Sequence, residues 1–177
     1  MALENWNIDV VHSTVGFTVR HLIISKVRGN FTKWSGKLAF DEQNFAASHA
    51  EATIEMASID TREPQRDGHL RTGDFFEVEK FPSLMFKSTS IRVVRPGELA
   101  VEGELTIREI TRKVLFEVEG PTPPEKDPWG NLRVAASATA KISRKEFGLV
   151  WNTTLENGGL LVGDEVTVTL DVQFVRS

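Results

Sequence analysis

Every second residue from Leu132 to Ile142 is apolar: Leu132, Val134, Ala136, Ala138, Ala140 and Ile142. A period of two puts all six on one face of a long strand, and that face needs cover from water. The same period recurs along the chain. Val15, Phe17, Val19 and His21 share a face, as do Trp34, Gly36, Leu38 and Phe40, and then Ala52, Ile54 and Met56. Leu99, Val101, Gly103, Leu105 and Ile107 follow the turn Arg95-Pro96-Gly97-Glu98. Val114, Phe116 and Val118 make another strand, and Val166, Val168, Leu170, Val172 and Phe174 make the last. Phe86, Ser88 and Ser90 give way to Ile91 and Val93 with a slip of one position, which marks an irregular strand. These are about eight strands with no heptads and no βαβ rhythm, so the class is all-β. An antiparallel sheet of that size hides its apolar face by closing into a barrel.

Two stretches break the pattern. Residues 58–76, SIDTREPQRDGHLRTGDFF, are densely charged and end in Phe75-Phe76. They carry the one helix expected, a short insert near residues 63–75, with Pro64 early enough that its missing N–H costs nothing. Residues 120–130, GPTPPEKDPWG, hold four prolines and read as an irregular connection within a hairpin. The segment 158–163, GGLLVG, lacks the lysine of a phosphate-binding loop and reads as a turn before the last strand. A turn is also expected near residues 143–147.

Composition narrows the function classes. A chain of 177 residues suits a single domain, 1–177, with a real core. A net charge of −4 gives no reason to expect nucleic acid. The absence of cysteine removes thiol nucleophiles, disulfides and cysteine metal sites. No window approaches the ~20 apolar residues of a membrane-spanning helix. The opening MALENW has neither a basic nor an apolar leader segment, so a cytoplasmic location is expected.

An ordered set of motifs covers residues 6–174. Trp6-x-Ile8-Asp9 comes first, then His12-Ser13-x-Val15-x-Phe17-x-Val19-x-His21-Leu22 and Ser25-x-Val27-x-Gly29-x-Phe31. Phe81-Pro82-Ser83, Phe86-x-Ser88-Thr89, Gly103-x-Leu105-Thr106-Ile107, Thr111 and Ile142-Ser143-Arg144-x-x-Phe147-Gly148 follow. In this order they closely resemble the YceI-like family of polyisoprenoid-binding proteins. The resemblance implies a lipocalin-like, eight-stranded antiparallel closed barrel around a long apolar tunnel. It implies an isoprenoid lipid as ligand, a polyprenyl phosphate or an isoprenoid quinone, and it suggests a homodimer and transient membrane contact during loading. Many members of the family are exported, and this chain departs from them in its first residues.

The residues themselves leave the interior open to two readings. Inward alanines and glycines either leave a void that a ligand fills, or make room for Phe side chains from opposite strands. With the resemblance, the tunnel candidates are Phe17, Val19, His21, Phe31, Ile54, Phe86, Leu105, Phe116, Val134, Ala136 and Ala138. Head-group candidates are Arg62, Arg66, His69 and Arg71, since a guanidinium presents a planar fork to phosphate. The plainer reading of the same insert is an Asp67–Arg71 surface ion pair at i,i+4 spacing, with Leu70, Phe75 and Phe76 docking a lid.

Catalytic signals are thin. His12, His21, His49 and His69 lack metal-ligand spacing, and no GxSxG elbow is present. His12 and His69 match the family pattern, so the resemblance implies a joint role at one barrel end, while His49 lies outside the motif and reads as a surface residue. No catalytic residue, metal or cofactor is expected. Two rivals to lipid binding stand: an enzyme of small isoprenoid or quinone-like metabolites using His21 or His69, and a stress-related interaction module with a vestigial cavity.

Overall fold

In the computed structural model, residues 3–21, 25–41, 43–152 and 162–176 are described. Twelve strand segments are found among them. These are β1 (Glu4–Ile8), β2 (Thr14–His21), β3 (Ser25–Phe31), β4 (Trp34–Phe40), β5 (His49–Glu55) and β6 (Ile59–Asp60), then, after the helix α1 (Pro64–Leu70), β7 (Ser83–Arg95), β8 (Glu98–Ile107), β9 (Ile110–Glu119), β10 (Glu125–Lys126), β11 (Leu132–Ser143) and β12 (Val162–Arg176). Eight of them close a ring in the order β12-β11-β9-β8-β7-β5-β4-β1 and back to β12, all antiparallel.

The ring is sealed by a long unbroken ladder. β11 and β12 pair from Leu132↔Arg176 to Ser143↔Glu165 without a slip. On its other side β12 meets two strands in turn, β1 at Phe174–Val175 and β2 at residues 162–171. β1 and β2 are therefore one barrel strand, broken where Asp9 caps a 3-10 turn, Val10–His12, by accepting the N–H groups of Val11 and His12. β2 carries β3 and the short β6, which extend the wall and put Val27, Phe31 and Ile59 on the interior.

The irregular β7 shifts register against β8 twice, between Val93 and Arg95 and, earlier, between Ser88 and Ser90. There the Ser88 hydroxyl accepts the Ala50 N–H at 2.8 Å and satisfies a donor that the ladder would otherwise lose. Gly97 turns β7 into β8 with φ +82, a conformation that a Cβ disfavours.

Three expectations need adjusting. The last strand begins at Val162, so Val162 and Gly163 of the expected 158–163 turn are strand, and the residues of that turn up to 161 lie outside the described residues. The helix is only Pro64–Leu70, and turns carry the chain on to Phe76. The expected turn after β11 is a 3-10 helix, Arg144–Phe147.

Candidate functional site

A cavity of about 650 Å³ runs inside the barrel. Its walls come from the inward faces of the ring. β12 contributes Val166, Val168, Leu170, Val172 and Phe174, and β11 contributes Val134, Ala136, Ala138 and Ile142. The inward faces of β12 and of much of β2 are only half-buried, because they border a void instead of other side chains.

The choice between filled and empty is resolved position by position. A Cβ at Gly103 would collide with the Phe86 ring, and one at Gly29 with the Phe17 ring, so these two glycines make room for aromatics. Phe86 in turn stands edge-on to Phe116 at 5.4 Å, and Phe17 tilts against Phe31 at 5.6 Å. Ala52, Ala136 and Ala138 instead border the cavity, as does Gly36, where a Cβ would come into ordinary contact with Ile8.

One end is closed by a floor. Trp6 is 1% exposed and meets Phe40 edge-on at 6.3 Å, with Val134 completing the buried layer and Leu38, Phe45, Leu132 and Phe174 around it. The Trp6 indole N–H is buried there without an acceptor, and the Arg176 guanidinium lies 5.8 Å from its ring.

The other end is the mouth, built by α1 and by the segment that follows β11. Arg66, His69, Leu70, Phe75 and Phe76 reach it from one side, and Phe147, Leu149 and Trp151 from the other. His69 lies edge-on to Trp151 at 4.8 Å and to Phe75 at 5.2 Å, and its Nε2 is 2.8 Å from Asp74 Oδ2.

The lid is held by side chains that bond to backbone. Glu63 caps α1 at the Arg66 N–H. Asp67 is 6% exposed and accepts both the N–H and the hydroxyl of Thr61. Arg66 donates to the Thr61 hydroxyl and carbonyl, each at 2.8 Å. Arg71 donates to the carbonyls of Ala57 and Ile59. The expected Asp67–Arg71 ion pair is therefore not formed: the carboxylate turns inward to Thr61, and the guanidinium turns to the loop before the helix.

All eleven tunnel candidates, Phe17, Val19, His21, Phe31, Ile54, Phe86, Leu105, Phe116, Val134, Ala136 and Ala138, sit on the cavity wall. Of the head-group candidates, Arg66 and His69 reach it, whereas Arg62 faces an outer groove and Arg71 is spent on carbonyls. His12 and His69 are not brought together. His12 packs beside Asp9 near the floor end of β12, and His69 stands at the mouth. His49 is exposed.

Arg144 borders the cavity too, and periodicity offered no reason to choose it. It is 4% exposed and donates to the carbonyls of Leu149, Trp151, Gly163 and Val162. Burial pushes its pKa down, against the attraction of Asp164. Burial also works against the ionised Asp164, but the Ser143 hydroxyl and the Lys145 N–H hold its carboxyl below the usual range. The sequence signal was its place, a lone arginine ending a long inward strand just before Phe147 and Leu149. Among the described residues no cluster of His, Asp or Glu could hold a metal ion, and no helix is long and apolar enough to cross a membrane.

The profile of the YceI-like domain matches residues 6–174. The chain belongs to the YceI-like family. A UPF0312 protein of Staphylococcus aureus (strain USA300) is 33% identical over 172 residues, 97% of this chain and 98% of that one. BcnA of Burkholderia cenocepacia superposes with a TM-score of 0.82 at 22% identity, covering 94% of this chain and 98% of its own. A polyisoprenoid binding domain from Saccharophagus degradans, implicated in plant cell wall breakdown, superposes at 0.70 with 14% identity over 97% and 98%. At those identities the two structures speak for the fold.

Proposed function

We propose that this protein binds an amphipathic isoprenoid lipid without catalysing its conversion, as a carrier or store. The tail lies in the barrel and the head near the mouth. The observation that carries the reading is the cavity, about 650 Å³ of apolar space with an aromatic floor. That volume is ordinary for a ligand site. Its shape is not. The β12 lining runs from Val162 to Phe174, roughly 40 Å along the strand and roughly 30 Å along the axis of a tilted barrel. A long narrow void suits a chain better than a compact ring system. The name of the Saccharophagus domain, which shares the fold, supports the same ligand class.

Affinity follows from the reference state. Each CH₂ taken from water contributes about 0.8 kcal/mol, and a long tail would then exceed the ceiling of about 18–21 kcal/mol for non-covalent binding. The tail comes from a bilayer that is already apolar, so the net preference is modest and the head decides selectivity.

The test has two parts. Mass spectrometry of an organic extract of protein purified without added lipid should reveal an isoprenoid near one equivalent. Ala138→Phe should then empty the barrel. Its ring enters existing space, so stability should escape the about 1–3 kcal/mol cost of overpacking a filled core. An empty extract, together with no thermal stabilisation by added prenyl lipids, would sink the reading.

A further inference from the structure

Beside the mouth, on the outer side of β3, lies a second depression of about 470 Å³. Lys26, Arg28, Arg62 and Arg66 line it, with Asn30 and a single carboxylate, Asp60. Four cations against one carboxylate leave a local charge of +3, in a chain whose net charge is −4. The backbone builds this concentration. β3 pairs with β6 at Asn30↔Asp60 and Phe31↔Ile59, and just beyond that pairing Arg62, at φ +64, lines the groove together with Lys26 and Arg28. Gly29 lets the Thr61 methyl close against the strand, where a Cβ would meet it at 2.9 Å. Among the described residues no carboxylate forms an ion pair with Lys26, Arg28 or Arg62. Asp60 is itself engaged, accepting the Arg62 N–H at 2.8 Å.

The groove adjoins the cavity. Val27 and Arg66 border both, so the thickness of one side chain separates them. Arg71 and Arg144, by contrast, spend their donors on backbone carbonyls. We propose that this groove is an anion site that receives the phosphate of a phosphorylated isoprenoid whose tail occupies the barrel. The inference rests on the cavity reading and adds the ligand class: a phosphate ester over its neutral counterpart. Arg28 and Arg62 supply planar forks that match phosphate oxygens, and Lys26 adds a point charge.

The experiment measures binding of geranylgeranyl phosphate and of geranylgeraniol to the full chain, side by side. At low salt the ester should bind about tenfold tighter or more, as a few charge-assisted hydrogen bonds imply. The advantage should shrink between about 0.02 M and about 0.5 M salt, as screening shortens the reach of exposed charges. Inorganic phosphate should compete with the ester and leave the alcohol untouched. Lys26→Gln/Arg28→Gln should bring the two probes together by weakening only the ester, with an unchanged melting temperature. Equal binding of both probes to the unmodified protein overturns the groove inference and leaves the cavity reading standing. Failure of both probes to bind overturns the two together. Vesicles containing phosphatidylserine separate the remaining source of phosphate. Adsorption lost in the double variant, with no ester preference in the unmodified protein, would assign the groove to a bilayer surface and overturn the tethered-head proposal.

Discussion

The two ends of this barrel are closed by opposite means. At the floor, Trp6, Phe40 and Val134 come from strands β1, β4 and β11 and meet as an apolar layer. Their positions follow from the pleat, and each lies two or four residues along an inward face that also lines the cavity. At the mouth the closure comes from outside the ring, from α1 and from the segment after β11, and it is held largely by side chains on backbone groups. The floor cannot open without unpairing strands. The mouth can open without unpairing any strand of the ring, by releasing those hydrogen bonds and the buried side chains of Phe75, Phe147 and Leu149. A ligand of the kind proposed would therefore enter and leave through the mouth.

The sharpest break of this comparison is Trp6→Ala. It removes a fully buried indole from the floor and should cost about 3–5 kcal/mol of folding stability, measured by denaturant unfolding. Trp6→Phe should recover most of it, because the ring contacts survive and the unpaired indole N–H disappears. A floor substitution of this size that left stability intact would mean that the floor is as adjustable as the mouth.

Arg144→Met probes the other end and should cost less, about 2–3 kcal/mol, by leaving four carbonyls without their charged donor. Its distinctive mark is kinetic. With Leu149 and Trp151 released from the guanidinium, a bound lipid should leave faster in stopped-flow displacement, while Trp6→Phe should leave the off-rate alone. Equal effects of the two substitutions on the off-rate would erase the distinction between floor and mouth.

The difference between the ends also explains what the sequence made legible. A strand face repeats every two residues, so Phe17, Leu105, Phe116, Val134 and Ala138 could be assigned to the interior before any coordinates. The same periodicity located the slip at Ser88 and the barrel class. It could not reveal that β1 and β2 are one strand broken at Asp9, since that break depends on partners in β12. The mouth was less legible for a related reason. Spacing along α1 suggested an Asp67–Arg71 pair, but both side chains found closer backbone and hydroxyl partners in the loop before the helix. The motif around Arg144 gives it no role, because its acceptors lie on residues up to 19 positions away. Side-chain bonds to distant carbonyls leave no period to read.

The smallest expected effect concerns acid, and it belongs to the floor end. Arg133 bridges Asp9 at 2.6 Å and Asp127 at 2.8 Å, tying the break between β1 and β2 to β11 and to the 120–130 loop. The hydrogen bond from Arg133 holds the Asp9 carboxyl at about 2, below the ordinary 3.8, against a smaller opposing effect of burial and with further help from His12. Because folding lowers this pKa, the stability it supplies is fully present above about pH 4 and is lost as pH falls through about 2. Asp127 is also held below its ordinary value, where Arg133 and the N–H groups of Asn131 and Trp129 outweigh burial. Arg133→Gln should raise the Asp9 midpoint toward the ordinary value, read by carboxyl NMR titration. Its melting temperature should fall slightly below that of the unmodified protein at pH 7, and the gap should close as both are taken from pH 4 to pH 2. A gap that stayed constant across that window would show that Arg133 acts through packing alone, and the floor would then be as insensitive to acid as its apolar core.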